Sequence, residues 1–88
     1  MYTILFSDDA KRDLKELYRK APLSIAKFSK LLDEIRDHPR TGTGQIEVLK
    51  GFDGSVYSRR LTKEHRLVYK IYDEFSEVLI LSAYGHYK

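Results

Sequence analysis

VYSRRLTKEHRLVYKIY, residues 56–72, is the stretch on which the architecture turns. Val56 to Leu61 and Arg66 to Tyr72 are rich in β-branched and aromatic residues. The turn chemistry of Thr62 to Glu64 separates them, so they read as neighbouring antiparallel strands. Alternation along the second run puts Arg66, Val68, Lys70 and Tyr72 on one face and Leu67, Tyr69 and Ile71 on the other. That is the pattern of a sheet packed on a core at one side and wet at the other. A short connection brings Arg60 and Arg66 close to opposite each other on the polar face, with Ser58 beside them. Two facing cations repel unless an anion lies between them, which makes this face the candidate site.

Outward from there, turn residues at Asp73 to Ser76 lead into a strand over Glu77 to Tyr84, on which Val78, Ile80, Ser82, Tyr84 and His86 fall on one side. In the other direction, Gly51 to Gly54 and the loop Thr41-Gly42-Thr43-Gly44 flank a strand over Gln45 to Lys50. The two loop glycines are free to take positive φ. Before the loop the period becomes helical. Ser7 caps a helix with Asp8 and Asp9 in its first turn, Ala10, Leu14, Leu17 and Tyr18 on its apolar side, and Arg19 and Lys20 at its end. Pro22 suits the first turn of a second helix, whose stripe is Ile25, Phe28, Leu31, Leu32 and Ile35 and which stops before Pro39. Tyr2 to Phe6 reads as a first strand. The predicted order is β-α-α-β-β-β-β, an α+β fold in which a helical hairpin packs on one face of a mostly antiparallel, twisted sheet.

Eighty-eight residues make one domain, residues 1–88, with no room for a second. Lys and Arg number 16 against 13 Asp and Glu, a net charge of +3, so any affinity for nucleic acid depends on where the cations fall. Cysteine is absent, which removes disulfides, thiolate nucleophiles and thiolate metal sites. The histidines at 38, 65 and 86 lack metal-ligand spacing, and neither metal nor cofactor is expected. His38 reads as a helix C-terminal residue, and His65 as a structural or turn-capping one. No apolar run approaches the roughly 20 residues that span a bilayer, and Met1 to Phe6 is too short for a signal segment, so a cytoplasmic chain without membrane contact is expected.

On successive strands the segments EVLK (47–50), YSRR (57–60), EHRLVY (64–69) and GHY (85–87) follow in order. With them the chain resembles the YoeB type of toxin, in the wider RelE/ParE-like superfamily of toxin–antitoxin modules, over nearly its whole length. The resemblance implies a RelE-like fold and an endoribonuclease that cuts messenger RNA on the ribosome without a metal: the ribose 2′-OH attacks its own phosphate, leaving a 2′,3′-cyclic phosphate and a free 5′-OH. By match of motif, Glu47 takes the general-base position, Arg66 the phosphate-stabilising position and His86 the general-acid position. Tyr87 stands beside the reacting nucleotide, with Lys50, Arg60 and Arg59 as further substrate contacts. A cognate antitoxin that lays an acidic tail over the basic face is implied as partner, and a homodimer is known among relatives.

The residue types suit those tasks. A 2′-OH needs a base, the departing 5′-oxygen needs an acid, and the phosphorane between them gains charge that a fixed cation can hold. An imidazole, with an ordinary pKa of about 6.5, is the natural acid near neutrality. Strict alternation sets Glu47 and Lys50 on opposite faces, so both reach one substrate only if the strand bulges or ends near Leu49. The chain departs from many relatives at Tyr57, where they carry Trp, at Ile46 and Val48, where they carry proline nearby, and in the Lys88 that follows the last Tyr. No codon preference is carried over. Two other readings compete: a non-enzymatic inhibitor acting through a protein interface, as in the gyrase-directed branch of the superfamily, and an RNA-binding module without turnover.

Overall fold

In the computed structural model, which describes residues 1–85, Ser7 sets the first boundary as its chemistry predicts. Its Oγ accepts from the Ala10 N–H at 3.0 Å and closes the N-terminus of α1 (Asp8–Lys20). β1 (Thr3–Phe6) precedes it. A single 3-10 turn at Pro22–Ser24 then runs into α2 (Ile25–Asp37), so Pro22 opens the second helical segment one turn before the α-helix proper. Leu17 and Ala10 of α1 and Phe28, Leu31 and Ile35 of α2 are buried with Leu67, Tyr69, Ile71, Val78 and Ile80 in one core, so both helices cover the same sheet face. Tyr18, expected in the apolar stripe of α1, is instead 60% exposed. Leu14 and Leu17 suffice to cover the sheet there, Leu14 packing at the edge of the core.

The remaining strands are β2 (Glu47–Val48), β3 (Val56–Arg60), β4 (Arg66–Tyr72) and β5 (Glu77–Ser82). Their order across the sheet is β1-β5-β4-β3-β2, parallel only between β1 and β5. The chain returns from the helices to the far edge and works back by short antiparallel connections until β5 meets β1. β2 keeps only two of the six residues expected of it. Gln45 has a φ of 49°, outside the extended region, and a turn begins after Leu49 with Gly51 at a φ of 86°.

The last strand carries a second departure. β4 and β5 pair Tyr69 with Ile80 but Val68 with Ser82, so Leu81 is an extra residue, a β-bulge. The bulge reverses the alternation: Val78, Ile80 and then Ala83 are buried in the core, while Ser82 falls in the row of Val68 on the opposite face. Val78, Ile80, Ser82 and Tyr84 therefore do not share a side as strict alternation predicts. No described helix is long and apolar enough to cross a membrane.

Candidate active site

Directly paired residues on neighbouring strands share a face, so the register alone builds the site. Glu47 pairs with Ser58, Ser58 with Val68, and Val68 with Ser82, a row across four strands on the side away from the helices. The next row sets Arg60 against Arg66, the juxtaposition expected from the short 61–65 connection. Val56, Ser58 and Val68 are themselves buried, so this face is a packed floor with charged groups at its margin.

Arg66 is held on that floor from two sides. Its Nε donates to Ser58 Oγ at 3.1 Å and its Nη2 to the Gln45 carbonyl at 2.8 Å. The positive φ of Gln45 that shortens β2 belongs to the same residue that supplies this acceptor. Nη2 also lies 3.4 Å from Glu47 Oε1. The Arg66 side chain is 12% exposed and that of Glu47 65%, a fixed cation beside a carboxylate open to solvent. A guanidinium carries five N–H donors, and two of its three nitrogens are accounted for here. Nη1 donates to no group among the described residues. Arg60 is exposed opposite, and Lys50 is exposed in the turn beyond β2. Because β2 ends at Val48, alternation no longer binds Lys50 to the face opposite Glu47.

Arg59, expected among the substrate contacts, belongs to another part of the molecule. Its side chain is 0% exposed, beneath the core face of the sheet. Nε donates to the Tyr69 hydroxyl at 3.0 Å, Nη1 to Glu34 Oε1 at 3.1 Å and the Thr43 carbonyl at 3.4 Å, and Nη2 to the carbonyls of His38 and Thr41 at 2.7 Å each. All five donors are used within the fold, so Arg59 ties the 38–43 loop to the core and has neither exposure nor a donor left to offer a substrate. The signal was present in the sequence: alternation from Ser58 and Arg60 puts Arg59 on the opposite face, with Tyr57.

The C-terminal end of the sheet comes back to the same place. The Gly85 carbonyl accepts from the Arg66 N–H at 2.9 Å, and the Gly85 N–H donates to His65 Nδ1 at 2.8 Å. His65 also sits on the 61–65 turn, where its backbone N–H donates to Thr62 Oγ1 at 3.1 Å, so the Thr62 hydroxyl caps the turn and the His65 ring is left for its structural contact with Gly85. The contact with Gly85, across 20 residues of sequence, is one that no local pattern announces. His86 and Tyr87, expected as acid and stacking residue, lie outside the described residues. His38 forms the C-cap of α2, as its place beside Pro39 predicts.

The arrangement is chemically simple: a pinned guanidinium whose Nη1 has no partner among the described residues, a second arginine facing it, and an open carboxylate at its flank. It suits a bound phosphate next to a group that must lose a proton. Comparison with known proteins agrees with the motif order. Residues 6–87 match the family model described as the YoeB-like toxin of bacterial type II toxin-antitoxin systems. The chain is 34% identical over 87 residues to the toxin YoeB of Mycobacterium bovis, covering 99% of this chain and 100% of that protein. The YoeB dimer from Staphylococcus aureus superposes with a TM-score of 0.83 at 36% identity, covering 98% of both chains. YoeB in the heterotetrameric YoeB–YefM toxin–antitoxin complex of the same organism does so with a TM-score of 0.80 at 34% identity, covering 99% of both.

Proposed function

Because the chain belongs to the YoeB-like toxins of bacterial type II toxin–antitoxin systems, we propose that its open sheet face is a metal-independent endoribonuclease site for messenger RNA held on the ribosome. The observation that carries this reading is the pairing of Glu47 with Arg66 at 3.4 Å, with Arg66 already oriented by Ser58 and Gln45.

In this reading the scissile phosphate binds Arg66 through Nη1, which donates to no group among the described residues, with Arg60 and Lys50 as further phosphate contacts. Glu47 takes the proton of the ribose 2′-OH, and the freed oxygen attacks the adjacent phosphorus. Arg66 holds the charge that accumulates on the phosphorane oxygens. The bond to the 5′-oxygen then breaks, His86 gives that oxygen a proton, and the products are a 2′,3′-cyclic phosphate and a 5′-OH. Tyr87 stacks on a neighbouring base. His86 and Tyr87 enter by the sequence motif, supported by the Gly85 carbonyl on the Arg66 N–H, one residue before His86. A type II toxin needs an antitoxin. A relative from Staphylococcus aureus is crystallised with YefM, and in this reading a YefM-like partner lays an acidic segment over Arg60 and Arg66 and neutralises the face.

The test is to incubate the purified chain with ribosome-bound messenger RNA in the Mg²⁺ that the ribosome itself requires, and with free RNA in EDTA, and to map the ends. New 5′-OH ends inside the reading frame, appearing with ribosomes, are expected. Growth arrest on induction with every transcript intact would overturn the reaction and favour an inhibitor that acts through a protein interface.

A further inference from the structure

The bulge at Leu81 ends the regular pairing of β5, and from there to Gly85 the chain is held largely by side chains. Ser7 Oγ donates to the Leu81 carbonyl at 3.0 Å, and Asp13 Oδ2 accepts from the Ala83 N–H at 2.9 Å. The Tyr84 ring stacks on His65 with centroids 4.4 Å apart, and Lys20 Nζ lies 5.8 Å from the centre of the same ring. His65 Nδ1 then takes the Gly85 N–H, while the Arg66 N–H binds the Gly85 carbonyl. His65 is the one side chain in this series that touches both Tyr84 and Gly85. Its own backbone is fixed, because its carbonyl accepts from the N–H groups of Leu61 and Thr62 at 3.0 and 3.1 Å.

Gly85 has a φ of 83°, a conformation that glycine adopts freely together with many others. Left to itself it would be a hinge. His65 Nδ1 accepts the Gly85 N–H and so fixes the Tyr84–Gly85 peptide, while the Arg66 N–H holds the Gly85 carbonyl of the next one.

We propose that His65 is a positioning residue for the C-terminal acid. It clamps Gly85 against Arg66, and Gly85 is the residue that precedes His86 in sequence, the acid of the reading above. This role rests on the ribonuclease reading above. Its logic is geometric: a general acid must come within about 2.6–3.2 Å of the leaving oxygen, and a misplacement of about 1 Å costs about 10²-fold in rate. The phosphate contacts of Arg66, Arg60 and Lys50 do not pass through His65. Loss of the clamp therefore lowers the rate of cleavage and spares RNA affinity.

Three variants separate acceptor, ring and size. His65→Phe keeps a flat ring for Tyr84 and removes the acceptor. His65→Asn puts an oxygen close to the position of Nδ1 and removes the ring. His65→Gln, also without the ring, places its amide near Nε2 instead. Single-turnover cleavage of ribosome-bound messenger RNA, RNA affinity, thermal midpoint and hydrogen exchange of the Gly85 amide are measured for each. The expected result is faster Gly85 exchange and a cleavage rate about 10- to 100-fold lower in H65F and H65Q, with affinity within about threefold of wild type, and recovery to within about fivefold in H65N. Should H65F fail to fold, the contrast of Asn with Gln decides alone. Wild-type cleavage matched by H65F or H65Q, or H65N as slow as H65Q, overturns the positioning role only. A wild-type chain that cuts no RNA overturns the reaction, and this role with it.

Discussion

Arg59 and Arg66 stand on adjacent strands, on opposite faces of one sheet, and the fold treats them oppositely. Arg59 faces the helices and meets an acceptor at each of its five N–H groups, two of them the carbonyls of His38 and Thr41 that follow α2. Arg66 faces away: Ser58 and Gln45 take Nε and Nη2, Glu47 lies alongside, and Nη1 donates to no group among the described residues. A guanidinium that is saturated holds a loop. One that is oriented but unsaturated can hold a substrate. Under the proposed reaction the first arginine serves stability and the second chemistry, a division that substitution can break.

Arg59→Met has the largest expected effect. It leaves the Glu34 carboxylate and the carbonyls of His38, Thr41 and Thr43 without their donor; removing one partner of a fully buried ion pair costs about 3–5 kcal/mol, and because Glu34 is 24% exposed the lower end, about 3 kcal/mol, is expected here. A small domain has about 5–15 kcal/mol in all, so much of the variant should be unfolded at 37 °C. Urea denaturation measures this, and a loss below about 1 kcal/mol would erase the contrast. Arg66→Ala should do the reverse. Losing a transition-state donor costs about 10²–10³-fold in cleavage rate, while the urea midpoint stays close to wild type. An Arg66→Ala chain as unstable as Arg59→Met, or one that cuts at the wild-type rate, would show that the two arginines do not divide the work this way.

Much of this frame was legible in the sequence. The period-two pattern from Arg66 to Tyr72 gave the bounds of β4, Ser7 with its two following acids gave the start of α1, and the facing of Arg60 and Arg66 followed from the short turn. What escaped has a physical pattern of its own. Arg59 was read by its charge when alternation already put it on the core face. The burial of a full charge depends on five acceptors, four of them contributed by the helix and loop of residues 34–43. The positive φ of Gln45 and the bulge at Leu81 are single-residue backbone departures at residues that are neither glycine nor proline. The His65–Gly85 bond joins segments 20 residues apart, and no local periodicity encodes it.

Gly42→Ala sharpens the comparison from the loop side. Gly42 has a φ of 120°, and a Cβ there would run into Glu34 Oε1 and approach Arg59 Nη1. The backbone strain alone is about 1–3 kcal/mol, so the variant should lose part of what Arg59→Met loses, by pushing the same network apart. Cleavage measured at a temperature where it remains folded should be unchanged. A drop in cleavage rate without a drop in stability would mean that the buried network reaches the open face.

The smallest effect is in pH. The Glu34 carboxyl is held below its ordinary 4.5, first by the Thr43 N–H and further by the Arg59 charge, against the burial that pushes it up. A carboxyl lowered on folding contributes stability that is fully present above its unfolded pKa and is lost as pH falls through the folded one. Glu34→Gln keeps an acceptor for Thr43 and removes the charge that faces Arg59, at a cost of about 1 kcal/mol near neutrality. Wild type and variant should therefore differ at pH 7 and converge as the pH falls below 4.5. Asp73, which the Arg40 guanidinium and then the Tyr2 hydroxyl hold below its usual range, loses its own contribution in the same acid window. It does so equally in both proteins and cancels from the difference. Urea midpoints taken from pH 7 to pH 3 give that difference directly. A gap that stays constant across the range would mean that the Glu34 charge adds nothing to the Arg59 network, leaving the neutral acceptors to hold the buried guanidinium.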